Sequence, residues 1–336
     1  MSAAPALYRV LLTDRAWPDA SIEREILAQA GAELIEADDT SEASLCALAA
    51  DVDAIAANWA PVTDAVVRAA RRCRIICRMG IGLDNIAVAA ATERKIAVTN
   101  VPDYCIAEVA DHALALILAC ARNIAFFHSR TKRGDYDLQA GPAMPRLAGK
   151  RLGLVGLGRI GRNLAAKVQA LGMEVLGHTS SGNDHGTGCR MASLDMLLTE
   201  SDFVSLHVPL SSQTRHLLSL AEFEKMKHSA YLINTARGGL INHADLWTAL
   251  QRNLIAGAAL DVFDPEPPDL STPLLRDERV IVTPHAAFVS HESLIELRSR
   301  VAHQIVDILS GRRPECVVNP EVFSGEIART PGEPGT

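Results

Sequence analysis

The apolar strand Leu152–Val155 runs into Gly156-Leu157-Gly158-Arg159-Ile160-Gly161 and then into a helical segment, Ile160–Leu171. Strand, glycine turn and helix in that order leave few folds open. Gly156 permits a tight turn, Gly158 lets a ligand approach the backbone, and Gly161 lets helix and strand pack closely. The opening turn of the helix also presents free amides to negative charge. The ligand that uses all of these features is the pyrophosphate of a dinucleotide.

The flanking sequence supplies the sheet that such a turn requires. Strands read at Arg151–Val155, Glu174–Gly177, Phe203–His207, Tyr231–Asn234, Gly257–Leu260 and Val280–Val282. Between them lie helical segments around Ile160–Leu171, Leu194–Thr199, Ala221–Met226 and Ala244–Arg252. Six strands alternating with helices make a doubly wound parallel sheet. The first hundred residues repeat the rhythm, with apolar runs at Tyr8–Leu12, Asp53–Ala57, Arg74–Cys77 and Ala97–Thr99 and helical stretches such as Ser21–Ala30. At 336 residues the chain is long enough for two domains.

The fold expected is therefore α/β with two Rossmann-like lobes. Residues 1–104 form a flavodoxin-like lobe, which the family resemblance implied by the motifs below makes the substrate lobe, and 105–287 the doubly wound dinucleotide-binding domain, which the same resemblance makes NAD(P)-binding. Residues 288–320 return as a helix to the first lobe, and 321–336 read as a disordered tail rich in Gly, Pro and Glu. Ile106–Phe127, Ala/Leu-rich and apolar around most of its circumference, reads as one long buried crossover helix. In Glu292–Leu309 the residues Leu294, Leu297, Val301, Ile305 and Ile308 keep a helical period, and the helix ends at Gly311.

Charge and cysteine usage exclude some partners. Acidic side chains, 40 against 33 basic ones, give a net charge of −7 without a Lys/Arg block, which argues against nucleic acid. The apolar stretch Ala113–Ala121 is far short of the ~20 residues of a membrane span. The seven cysteines form an odd set with no paired CxxC knuckles. Cys73 and Cys77 read as core thiols rather than metal ligands, and the chain as a soluble cytoplasmic protein with no metal site.

Three stretches at strand ends of the second lobe carry chemistry: Asn234-Thr235-Ala236-Arg237-Gly238-Gly239, Asp261-Val262-Phe263-Asp264-Pro265-Glu266-Pro267, and Thr283-Pro284-His285-Ala286-Ala287. Doubly wound sheets bind ligands beyond the carboxyl ends of their strands. Arginine offers a planar fork to a carboxylate, histidine moves a proton near neutral pH, and a carboxylate hydrogen-bonded to the other ring nitrogen would raise the imidazole pKa. Such a set suits reduction of a 2-oxo acid.

With these motifs the sequence resembles the D-isomer-specific 2-hydroxyacid dehydrogenase family, including its C-terminal-binding-protein-like and phosphoglycerate-dehydrogenase-like branches, over roughly residues 50–320. The resemblance implies Arg237 as the substrate-carboxylate clamp, His285 as the acid/base and Glu266 as its partner. It implies Asp261 against the nicotinamide carboxamide, and Gly156, Gly158, Arg159, Ile160, Gly161, Thr179, His207, Val208, Pro209, Thr235, Ala236, Arg237, His285 and Ala287 along the cofactor. In the first lobe, Arg78-Met79-Gly80-Ile81-Gly82-Leu83-Asp84-Asn85-Ile86 looks like the family's glycine-containing loop, so the amides of Gly80 and Ile81 would bind the substrate carboxylate beside Asn58 and Met79. Asn58-Trp59 is read as shaping the pocket for the substrate's remaining substituent, a loop Trp that simply packs being the alternative. A homodimer through the second domain is also implied, with a small anionic molecule as substrate.

Two departures stand out. About 20 residues past the glycine turn, where a carboxylate normally meets the NAD ribose, the chain reads Gly177-His178-Thr179-Ser180-Ser181, and Asp184 reaches that place only if its loop folds back. The cofactor is thus read as NAD, with NADP not excluded. The residue after Ile86 is Ala87, where the family commonly has Asp. Two rival functions remain open: a dinucleotide-sensing, corepressor-like binding protein, and a dehydrogenase acting on a phosphonate or phosphite.

Overall fold

Short strands in a parallel sheet are covered on both faces, so they read as continuous apolar runs. The computed structural model, which describes residues 7–324, has such strands in two separate sheets. The chain divides into two units, one made of its first segment to Tyr104 and its last from His291, the other of Cys105–Ser290.

Unit one contains β1 (Tyr8–Leu12), α1 (Ser21–Gln29), β2 (Ala32–Glu36), α2 (Glu42–Ala49), β3 (Ala54–Ala57), α3 (Asp64–Ala69), β4 (Ile75–Arg78), α4 (Val88–Glu93) and β5 (Ala97–Thr99). The sheet order is β2-β1-β3-β4-β5, parallel throughout. In that order the chain reverses its winding between β1 and β3, the place where open α/β sheets take ligands. Every residue of β3 and β4 is buried. β2 was not apparent in the sequence. It is an edge strand carrying Glu33 and Glu36, and so lacks the unbroken apolar run of its neighbours.

Unit two begins with α5 (Ile106–Ala121) and α6 (Ile124–Lys132), then β6 (Arg151–Val155), α7 (Arg159–Ala170), β7 (Glu174–His178), β8 (Arg190–Met191), α8 (Leu194–Glu200), β9 (Phe203–Leu206), α9 (Leu220–Phe223), β10 (Tyr231–Asn234), α10 (His243–Gln251), β11 (Gly257–Leu260), α11 (Pro273–Arg276) and β12 (Val280–Val282). Its seven-stranded order is β12-β11-β10-β9-β6-β7-β8, with the reversal of winding between β6 and β9. The six expected strands are joined by β8, two residues paired with Leu176 and Gly177 of β7. That pairing is too short to leave a periodic signal.

The long helix expected over Ile106–Phe127 is two helices. Asn123 takes a left-handed φ of 49° and its side-chain amide donates to Pro142 O at 2.8 Å. The chain bends by 65° there. Asparagine tolerates that conformation better than other residues with a Cβ, so the break was encoded in a residue with only a weak sequence signal. No single helix among the described residues is long and apolar enough to cross a membrane, although this bent pair passes that test together.

The last helix, α12 (His291–Leu309), returns to unit one and packs on α1. Arg298, buried on α12, makes two hydrogen bonds to buried Glu23, at 2.9 and 2.7 Å, and its guanidinium lies over the Trp17 ring. Pro320–Phe323 forms a 3-10 turn, which corrects the start of the expected tail, and residues 325–336 lie outside the described range.

Candidate active site

At the β6–β9 reversal the three glycines have distinct tasks. Gly156 turns the chain with φ 102°, and a Cβ on it would lie 2.6 Å from His207 O. A Cβ on Gly161 would lie 2.2 Å from Gly156 O, so helix α7 meets the turn at a distance only glycine allows. Gly158 is exposed, with open space where its side chain would be. It leads into Arg159 and Ile160, the first residues of α7. Thr235, after β10, buries a hydroxyl with no hydrogen-bond partner among the described residues. A glycine cradle open to solvent and an orphaned hydroxyl fit a dinucleotide.

His207 and Val208 flank this turn, and Pro209 O is engaged by the Thr214 hydroxyl at 2.7 Å. The His207 Nε2 lies 2.8 Å from Ser205 Oγ. Burial depresses this imidazole to about 4, so it is neutral at physiological pH. Thr179, just past the end of β7, donates from its hydroxyl to Asn183 O at 3.2 Å. Asp184 is turned into its own loop, accepting from the amides of Gly186 and Gly188.

Arg237, Glu266 and His285 converge within unit two. Gly238 makes this convergence possible, because a Cβ there would sit 1.9 Å from the Phe263 carbonyl carbon. Only a glycine lets the Arg237 loop lie against the backbone that leads to Glu266. Ala236 and Arg237 are fixed by Asn234, whose side chain accepts from Ala236 N and donates to Arg237 O. Arg237 Nη1 donates to Ala236 O at 2.7 Å.

Glu266 uses both oxygens. One accepts from Phe263 N at 2.8 Å, the other faces His285 Nδ1 at 2.8 Å. Burial pushes this carboxyl up, but the His285 hydrogen bond and charge, the Phe263 amide and the Arg237 charge outweigh it and hold it below its ordinary value. An ionised carboxylate only accepts, so Nδ1 carries the proton of this contact. His285 itself has a left-handed φ of 51°. Such strain in a residue with a Cβ needs surrounding structure to impose it.

Asp261 supplies it. Its buried carboxylate accepts from Thr283 Oγ1 at 2.5 Å and from the amides of Ala286 and Ala287 at 2.9 Å, while its carbonyl accepts from His285 N at 2.7 Å. His112 on α5 completes the knot, with Nε2 3.0 Å from Thr283 Oγ1. Asp261 is wholly buried, so its carboxylate is an internal brace of the His285 loop. Sequence reasoning had not assigned this task to Thr283 or His112, and no local motif ties His112 to a residue 171 positions away.

Unit one gathers the other expected residues. Asn58 and Trp59 follow β3, and Met79, Gly80 and Ile81 follow the adjacent β4, with Met79 N donating to Ala57 O at 2.7 Å. Met79 and Gly80 are buried and Ile81 is half-buried. A Cβ on Gly80 would lie 2.8 Å from the Arg78 guanidinium. Asn58 is buried, and its Nδ2 has no partner among the described residues.

A family model described as the NAD binding domain of D-isomer specific 2-hydroxyacid dehydrogenase matches residues 114–287. A glyoxylate reductase from Korarchaeum cryptofilum is 38% identical over 278 residues, covering 81% of this chain and 83% of its own. A D-3-phosphoglycerate dehydrogenase from Archaeoglobus fulgidus is 37% identical over 257 residues, covering 76% of this chain but 49% of its own, so the chain spans about half of that relative. The solved structure of D-lactate dehydrogenase from Aquifex aeolicus, complexed with NAD and lactic acid, gives a TM-score of 0.80 at 27% identity over 96% of this chain and 100% of that one.

Proposed function

Because this chain belongs to the D-isomer-specific 2-hydroxyacid dehydrogenase family, and is therefore a nicotinamide-dependent oxidoreductase, we propose that it interconverts a D-2-hydroxy acid and its 2-oxo acid with His285 as acid and base. When bound, the nicotinamide supplies or removes the hydride. In the reducing direction His285 Nε2 gives a proton to the carbonyl oxygen, and in the oxidising direction it takes one from the hydroxyl. Glu266 keeps the ring aimed and balances the charge it carries while it holds that proton. In unit two we assign Arg237, with its planar fork, as a carboxylate clamp, and in unit one the amides of Gly80 and Ile81, beside Asn58 and Met79, as carboxylate-binding groups. The glycine turn, the first amides of α7 and the Thr235 hydroxyl receive the dinucleotide.

The observation that carries this reading is the 2.8 Å contact between His285 Nδ1 and Glu266, whose other oxygen is tied to Phe263 N. Asn, which accepts a left-handed φ, is the replacement that leaves the loop backbone at ease. His285→Asn is expected to lower kcat by about 10²–10⁴-fold in a spectrophotometric assay with a 2-oxo acid and reduced dinucleotide. Turnover at the wild-type rate would refute the assignment. A wild-type chain that binds dinucleotide but reduces no 2-oxo acid would be a binding protein instead.

The cofactor we assign is NAD(H), with NADP(H) accepted as well, since Thr179 places no negative charge against a 2′-phosphate. Thr179→Asp should raise the NADH-over-NADPH ratio of kcat/KM by about tenfold or more, that is by one unfavourable charge contact of roughly 1.4 kcal/mol. An unmoved ratio would place the adenosine end elsewhere.

The same reading includes a homodimer through unit two. Helix α6 buries none of its side chains, and Ile124, Tyr136 and Leu138 are 55%, 94% and 78% exposed. Large apolar groups held in water along one arm suit a second copy of the chain. Light scattering should return twice the 36.0 kDa chain mass, and a monomeric mass would overturn this part.

A further inference from the structure

We propose that His243, the first residue of α10, is a positioning residue for Glu266: by backing Phe263 and Asp264 it holds the loop that aims Glu266 at His285. The inference rests on the dehydrogenase reading above and on the Glu266–His285 contact within it, and it adds a residue to that site.

The loop after β11 runs Val262-Phe263-Asp264-Pro265-Glu266-Pro267 and meets no helix until α11. Glu266 is tied to it through Phe263 N, so the carboxylate follows wherever Phe263 goes. The Arg237 loop clears space for this segment. Gly238 abuts the Phe263 carbonyl carbon, and a Cβ on Gly239 would lie 3.0 Å from Asp264 Oδ2. Two glycines permit the approach but have no side chain with which to hold it. Arg215, from the segment after β9, pairs with Asp264 at 3.0 Å, yet the two side chains are 53% and 41% exposed. An ion pair so open to water fixes a loop only weakly.

His243 gives the firmer support. Its ring centroid lies 6.3 Å from that of Phe263 with the planes tilted by 57°, inside the separation of about 4.5–7 Å at which aromatic rings attract. The same ring meets the Asp264 backbone. It is carried on a fixed helix start: Asn242 caps α10 by accepting from the amides of Ala244 and Asp245, and Phe263 packs on the apolar cluster that contains Leu246 and Leu250 of α10. The ring is built to pack rather than to carry charge. Burial, opposed by the Asp264 carboxylate and reinforced by His216, lowers its pKa, and a helix start also disfavours a cation. Its Nε2 is buried with no hydrogen-bond partner among the described residues. An unanswered buried nitrogen is destabilising, so the flat ring is what this position uses, and a phenyl ring should serve as well.

The test uses the full chain with NADH and with glyoxylate or hydroxypyruvate as the probe. His243→Gln, similar in size but without a ring, should lower kcat by about 10–100-fold, as expected when a catalytic group is held slightly out of place. The Kd for NADH, read from its fluorescence, should not move. His243→Phe should keep kcat near the wild-type value. In a Glu266→Gln background there is no carboxylate to aim, so adding His243→Gln should lower kcat no further, whereas residues acting independently multiply their losses. The inference fails, and the dehydrogenase reading stands, if His243→Gln turns over at the wild-type rate, if His243→Phe is as slow as His243→Gln, if NADH affinity falls in step with kcat, or if the losses multiply in the double variant. A Glu266→Gln chain as fast as the wild type removes the contact on which the inference rests and overturns it. A wild type that binds NADH and reduces neither probe overturns the dehydrogenase reading as well.

Discussion

At the scale of single residues, Asp261 ties down the loop that carries His285. Its carboxylate gathers one hydroxyl and two amides in a fully buried position, and its carbonyl holds the His285 amide. Asp261→Asn would turn an acceptor into a donor facing one of those donors, leaving a buried group unsatisfied at a cost of about 1–3 kcal/mol. For a unit of this size that is a fall in Tm of several degrees by scanning calorimetry. With the His285 loop loosened, kcat should also drop by about tenfold or more. Thr283→Ser keeps the hydroxyl and should stay close to wild type in both measurements, whereas Thr283→Val should follow Asp261→Asn. Equal behaviour of Ser and Val would show that the hydroxyl is idle. The residues Arg237, Glu266 and His285 were singled out in the sequence because each sits in a short motif at a strand end, and the structure brings the three together. The brace that poises His285 was not, because it joins α5 to two distant loops and exists only once the sheet has formed.

At the scale of elements, β6, β10 and β11 were read from sequence to the residue because buried parallel strands are bounded apolar runs, and the edge strand β12, half open to solvent, because it is Val-Ile-Val. β2 and β8 were missed because one is charged and the other is two residues long. The break between α5 and α6 rests on Asn123. Asn123→Ala loses the hydrogen bond to Pro142 O and forces a less tolerant residue into the left-handed region, so a loss of about 1–3 kcal/mol in urea unfolding is expected. No change would mean that packing alone fixes the bend. The end of β9 gives a pH dependence. His207 titrates near 4 in the folded chain and near 6.5 when unfolded, so between those values the unfolded chain binds more protons. Unfolding free energy should therefore rise with pH across that window, by at most roughly 3 kcal/mol, and be flat in this respect above it. His207→Gln should remove that part of the slope, and an identical slope in the variant would rule His207 out.

At the scale of the molecule, each unit has its own sheet and its own buried apolar residues, in one cluster in unit one and in two in unit two among the described residues. A ligand held by one unit should raise the stability of that unit first, by about 2.7 kcal/mol at a hundred times Kd. Hydrogen exchange with saturating dinucleotide should show slowed amides in β6, β9 and β10, with a smaller effect in β1 and β2. Uniform protection of both units would contradict a dinucleotide site confined to unit two.

The pairing of α1 with α12 has a consequence for how the protein is made. Glu23 leaves the ribosome ahead of Arg298, which follows only after the whole of Cys105–Ser290 has been translated. At 5–20 residues per second, the 275 positions between them are a delay of roughly 14–55 s. Throughout it, the nascent unit one lacks the cover of its last helix, while the later-born unit two can already close around its own sheet. Chaperone capture during synthesis should accordingly fall on the amino-terminal segment, and a circular permutant that places α12 ahead of β1 should need less of it.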